Sequence, residues 1–467
     1  MEQILITGVS IVNEGRIFEG NVLITGDRIE EIIPAGSFSP LLEDLENVEV
    51  IDGRGKYLLP GVIDDQVHFR DPGLTQKGDL YTESRAAVAG GITSFMDMPN
   101  TDPKATTLKI LEEKFKLASQ KSLANYSFFL GATNDNLDEI EKADPAKICG
   151  IKVFLGASTG NMLVDDPDVL EKIFTRSKMI VAIHSEDEKI IQKNLAEFKE
   201  KYGDNIPVEA HPLIRSEAAC YSSTLKAVEL AVKHNTRLHI LHLSTAKELE
   251  LLRNDIPLAK KRVTAEVCVH HLWFDDRDYK KLGSRIKWNP AIKTEKDKNG
   301  LFAGLLNDKI DIIATDHAPH LVEEKSKPYL NCPSGGPLVQ HSLVVMLEFY
   351  SQKKISLEKI VEKMCHAPAI LYRIRDRGFI RKGAFADLVL IDTNSPWTVS
   401  KENLLYKCGW SPFEGTTFSS RITHTFVNGN LVYRNGKFAE QHKGKRLEFI
   451  KENQITKSAT KQLSKNI

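Results

Sequence analysis

Histidines and carboxylates recur along this chain at one kind of place, immediately after short runs of apolar, β-forming residues. The clearest case is the stretch 310–320, I-D-I-I-A-T-D-H-A-P-H, where Ile310, Ile312, Ile313 and Ala314 give way to Asp316, His317 and His320. A buried strand ending this way delivers a carboxylate and imidazoles to its C-terminal mouth. The pattern returns with Gln66, His68 and Arg70, with Asn100, with Lys152, with His184, with His242, and with His270 and His271. One histidine beside an apolar run is ordinarily a hydrogen-bonded core residue. Several on one rim point elsewhere, because imidazole and carboxylate oxygen are donors that Zn²⁺ accepts, and a catalytic zinc needs about three protein ligands plus an open position. This group can supply that.

The elements that must position these residues follow from hydrophobic periodicity. Between residues 59 and 375, strand and helix patterns alternate, with candidate strands at 61–65, 92–97, 126–130, 150–154, 179–184, 237–242, 263–269 and 310–316. Eight parallel βα units predict a (β/α)8 TIM-type barrel, whose chemistry sits at the C-terminal ends of its strands. The helices between show a 3.6-residue period, as in Leu108, Leu111, Phe115 and Leu117, or Leu225, Val228, Leu230 and Val232. Residues 3–52 instead alternate in short bursts, as do 387–392 and 422–437, where Asn428-Gly429 signals a hairpin. The expected fold is therefore α/β, a barrel over 59–375 inserted into a small β-sandwich built from 1–58 and 376–440. Residues 441–467 are polar and lysine-rich and are expected to form a solvated, partly disordered tail.

Composition narrows the partners. In 467 residues, Lys+Arg and Asp+Glu both number 63, so there is no global charge to draw nucleic acid or an anionic membrane, and a small-molecule partner is expected. The six cysteines (149, 220, 268, 332, 365 and 408) lack CxxC spacing and fit buried thiols in a reducing compartment. The opening residues M-E-Q-I-L-I-T-G carry no charged segment followed by a long apolar core, and no apolar run approaches a membrane span. A cytoplasmic location is expected.

Several motifs together resemble dihydroorotases of the cyclic amidohydrolase group. They are G-V-I-D-D-Q-V-H-F-R-D-P-G (61–73), M-P-N-T (98–101), I-K-V-F (151–154), I-H-S-E-D (183–187), L-H-L-S (241–244), A-E-V-C-V-H-H-L (265–272), K-W-N-P (287–290) and A-T-D-H-A-P-H (314–320). They are highly specific for the superfamily and less so for dihydroorotase over allantoinase, hydantoinase or dihydropyrimidinase. The resemblance implies that His68 and Asp316 hold one metal, that His184 and His242 hold a second, and that a carbamylated Lys152 lies between. It further implies that Asn100 and His320 complete a carboxylate clamp begun by Arg70, while Asn289 and the loop containing Gly335 and Gly336 contact the ring amides.

The chain departs from the family at Gln66, which stands where the family has the first histidine of His-x-His. An amide oxygen is a poorer zinc donor than imidazole, so the expectation is one tightly held zinc and a second, weaker position. Asp316 is expected to be both ligand and base, passing a proton from water to the leaving nitrogen as dihydroorotate opens to N-carbamoyl-aspartate. The other readings are a related cyclic amidohydrolase, or a catalytically silent subunit that supports aspartate carbamoyltransferase, which Gln66 keeps open. The resemblance also implies a homodimer.

Overall fold

The computed structural model describes residues 3–37, 39–42, 48–156 and 162–451. At its centre, parallel strands run in chain order: Val62–Val67, Ile92–Asp97, Asn125–Phe128, Ile151–Phe154, Val181–His184, Leu238–Ile240, Val263–Cys268 and Ile312–Ala314. The third continues into Leu130–Gly131, which carries the pairing on to Ile151. Each strand pairs with the next, and the ring closes where His68 N–H donates to His317 O at 2.7 Å. All eight strands fall where the alternation of apolar runs places them. Their residues are almost entirely buried, as expected of parallel strands covered on both faces.

The helices explain their own boundaries. Leu108–Lys121 begins at Thr107, whose hydroxyl accepts from Ile110 N–H, and it buries Leu111, Phe115 and Ala118 at helical spacing. Glu217–His234 is capped by Ser216 and stopped by Asn235 in the left-handed region. Here the apolar stripe expected from Leu225, Val228, Leu230 and Val232 is not the buried face. That face is Ala219, Cys220, Ser223, Thr224, Ala227 and Ala231, while Val232 is 70% exposed. Small side chains let the helix backbone approach the barrel closely, so Leu225, Val228 and Leu230 are left half-buried and Val232 is exposed.

Strands from both ends of the chain share a nine-stranded sandwich sheet. Leu388–Asp392 runs antiparallel to Tyr57–Pro60, so the chain leaves this sheet for the barrel at Pro60 and re-enters it at Leu388. The Asn428-Gly429 hairpin is present, both residues having positive φ (51° and 77°), as the tightest two-residue turn requires. One face buries Ile6, Ile11, Val22, Ile24, Leu390 and Phe426.

The beginning of the lysine-rich segment is packed rather than solvated. Gly444 N–H donates to Ser122 O, Lys445 O accepts from Tyr126 N–H and Leu447 N–H donates to Tyr126 O, which lays the segment along the third strand. Leu447 and Phe449 are buried there. Their alternation, two apolar residues in a polar stretch, is too short to stand out in composition. Residues 452–467 lie outside the described residues.

Sheet and barrel are joined by a buried polar knot. Arg377 pairs with Asp387 and donates to Asn428 Oδ1 at 2.8 Å. Asn125 on the third strand donates to Asp387 Oδ2 at 3.1 Å and accepts from Asn428 Nδ2 at 2.8 Å. Removing one member of a buried ion pair strands the other, at about 3–5 kcal/mol. Arg377→Ala is therefore expected to lower the stability measured by urea unfolding by about that amount; a variant as stable as the native chain would show that the knot does not hold the two parts together.

Candidate active site

Where the strands end, the backbone turns sharply to aim side chains inward. Asp316 (φ 49°), His242 (φ 40°) and Arg70 (φ 67°) all adopt the left-handed region, a cost of order 1–3 kcal/mol each that is tolerated where surroundings hold the residue in place. His242 N–H is held by Glu266 Oε1 at 3.0 Å. Thr315, next to Asp316, donates its hydroxyl to Asp64 Oδ2 at 2.7 Å. Arg70 thus reaches the cleft through this turn, not by sharing a strand face with His68, because the strand already ends at Val67.

These turns gather Gln66, His68, Arg70, Asn100, Lys152, Phe154, His184, His242, Asn289, Asp316, Ala318, Ser334 and Gly335 around one cleft. Two residues expected at the substrate are not among the residues that line it. His320 does not line the cleft but buttresses Arg70, its Nε2 standing 3.1 Å from the Arg70 Nη2. Gly336 is packed so tightly that an added Cβ would meet Trp288 at 2.7 Å and Trp410 at 3.0 Å. His270 and His271, on a short helix after the seventh strand, and His317, bound to Glu83 at 2.9 Å, also lie outside it.

Within the cleft, His184 Nδ1 and His242 Nε2 face each other at 3.1 Å. Burial lowers the pKa of both rings, favouring the neutral imidazole that binds cations. Glu186, two residues beyond His184, stands 3.0 Å from its Nε2 and pairs with Arg215 on the far side. Burial alone would raise the Glu186 carboxyl, but Arg215 and His184 outweigh it and lower it to about 2. A carboxylate behind a histidine fixes the ring so that the other nitrogen faces the site. Glu186 lies within I-H-S-E-D, and its spacing of two from His184 is the signal the sequence carries for this position.

Opposite, His68 Nε2 lies 3.1 Å from Asp316 Oδ1, and its Nδ1 lies 2.7 Å from Asn100 Oδ1. Gln66 is turned so that Nε2 donates to Asp316 Oδ1 at 3.3 Å, while Oε1 is 3.8 Å from Cys268 Sγ. Lys152 is buried between these groups, its side chain without an ion pair or hydrogen bond among the described residues, and desolvation brings its ammonium down to about 7 despite Asp316 and Glu266 nearby. Burial likewise lowers the Arg70 guanidinium to about 10.

The donor set fits a divalent cation. Two neutral imidazoles converge, an imidazole and a carboxylate meet across from them, and a buried lysine lines the same cleft. Glu186→Gln is expected to weaken metal retention by roughly 10- to 100-fold, read by competition with a chromophoric chelator. Unchanged retention would leave Glu186 a purely structural partner of Arg215.

The amidohydrolase family model matches residues 57–432, about four-fifths of the chain. This chain belongs to the amidohydrolase family. Among curated relatives, the amidohydrolase is 32% identical to a dihydroorotase of Pyrococcus abyssi over 95% of this chain and 98% of that protein. It is 34% identical to a dihydroorotase of Carboxydothermus hydrogenoformans over 91% of this chain and 96% of that protein. Among solved structures, it matches L-hydantoinase (dihydropyrimidinase) from Arthrobacter aurescens with a TM-score of 0.89 and 28% identity, covering 96% of this chain and all of that one. No helix of the described residues is long and apolar enough to cross a membrane.

Proposed function

We propose that this amidohydrolase is a dihydroorotase, interconverting (S)-dihydroorotate and N-carbamoyl-L-aspartate in pyrimidine biosynthesis. The observation that carries the reading is the buried Arg70 guanidinium opening on the same cleft as His184, His242 and Asp316. Arg70 uses Nε on Pro319 O and Nη2 on His320, both at 3.1 Å, leaving Nη1 without a protein partner among the described residues. A guanidinium so placed suits a carboxylate, which dihydroorotate carries and neutral hydantoins lack. The dihydroorotase relatives support the same assignment.

In the chemistry we assign, Arg70 takes the substrate carboxylate and Asn100 flanks it. Asn289 Oδ1, buried without a partner among the described residues, accepts a ring N–H. His184 and His242, with His68 and Asp316, are the residues that would hold zinc, and Lys152, once carbamylated, would join the two positions. A divalent ion bound there supplies Lewis acidity toward the ring carbonyl and lowers the pKa of water. Asp316 accepts the proton from the attacking water and returns it to the ring nitrogen as the C–N bond breaks. With the Gln66 amide turned to Asp316 and Cys268, His184 and His242 would hold one zinc tightly and the position beside His68 would hold a second more weakly.

A hydantoinase reading is favoured by the likeness to the Arthrobacter enzyme. A substrate panel separates the two. We expect turnover of dihydroorotate and of carbamoyl-aspartate, with little on hydantoin or dihydrouracil; the reverse preference would overturn the assignment.

A further inference from the structure

Beside the cleft, at the end of the seventh barrel strand, Cys268, His270 and His271 bring a thiol and two imidazoles together, one donor atom of each within 4.8 Å of the others and all buried. None of the three lines the cleft. His271 donates Nε2–H to Pro290 O at 3.2 Å, which leaves Nδ1 a bare lone pair with no hydrogen-bond partner among the described residues. His270 is stacked on Trp288, ring centroids 4.5 Å apart and planes 19° from parallel. Neither of its ring nitrogens has an aligned partner among the described residues, the Thr315 backbone being the polar group that bears on the ring. The Cys268 thiol lies 3.8 Å from Gln66 Oε1.

A buried polar atom left unmet is destabilising, and folded chains contain few such atoms. One nitrogen of each ring, together with the thiol, can be satisfied at once by a single cation. Sulfur and imidazole donors select a borderline d-block cation over Mg²⁺ or Ca²⁺. The Pro290 carbonyl behind His271 is the kind of outer partner that sets a ligating ring in its tautomer.

We propose that Cys268, His270 and His271 form a metal position of their own for an ion of the Zn²⁺ class, separate from the His184 and His242 position, with the Gln66 amide oxygen within reach as a further donor. On binding, the Cys268 S–H bond breaks, its proton passes to solvent, and the thiolate electron pair goes to the cation with no change of oxidation state. The proposal does not rest on the dihydroorotase reading, and turnover plays no part in its test.

The test is cobalt titration of the full-length, metal-stripped protein. Expected is a thiolate-to-cobalt charge-transfer absorption in the near ultraviolet that saturates with a single equivalent, is lost in Cys268→Ser, is weakened in His271→Gln, and persists in His184→Asn. Native protein that saturates with Co²⁺ without such a band overturns the proposal, whatever the fate of the variants. So does a band that Cys268→Ser leaves in place.

Discussion

Asp316→Asn is expected to lower kcat on dihydroorotate by about 10²–10⁴-fold, the range a positioned proton-transfer group supplies, while leaving the fold intact. The substitution is nearly isosteric, and asparagine accepts the left-handed backbone found at this position (φ 49°). Thr315, which carries the turn, keeps its own bond to Asp64. What disappears is the anion facing His68 Nε2 at 3.1 Å and Gln66 Nε2 at 3.3 Å, and with it both a cation donor and the proton acceptor. Steady-state kinetics beside circular dichroism checks this. Native turnover in a folded variant would remove Asp316 from the chemistry.

The second large effect is expected at Arg70. Removing one side of a buried, hydrogen-bonded charge pair costs about 2–5 kcal/mol, so Arg70→Gln should reduce kcat/KM for dihydroorotate by roughly 30-fold or more by the same principle. The loss should fall mainly in KM, because the carboxylate it holds does not change charge during ring opening. A neutral cyclic amide should be little affected by the same variant. Equal losses on both substrates would mean that Arg70 serves the barrel's architecture through Pro319 and His320 instead of reading the substrate's charge.

Much of the fold is legible in the chain because parallel barrel strands are buried on both faces and read as unbroken apolar runs. Val181–His184, apolar up to its final histidine, and Ile312–Ala314 show this directly. The cleft is legible for a related reason, since a polar residue right after such a run has one place to go. Facts that depend on packing between distant segments are not legible. The helix Glu217–His234 turns its alanines inward because its approach distance, not its hydrophobicity, decides the face. Leu447 finds the third strand through main-chain hydrogen bonds to Tyr126 that leave no sequence signature. His320 and Gly336 fall in the expected loops but are not among the residues that line the cleft, since a motif fixes position along the chain and not depth in the fold.

Glu186 illustrates the same limit from the other side. Its carboxylate matters through His184 and Arg215, partners at short and long separation, and only the first spacing can be seen in one sequence.

Turnover in this cleft is expected to depend on a divalent ion held by His184, His242, His68 and Asp316. The direct measurement is dihydroorotate turnover by purified protein before chelation, after stripping, and after zinc is returned, with zinc content followed in parallel. The account predicts that activity falls with the retained metal and returns when zinc is restored. Full turnover by protein verified to be free of metal would contradict it.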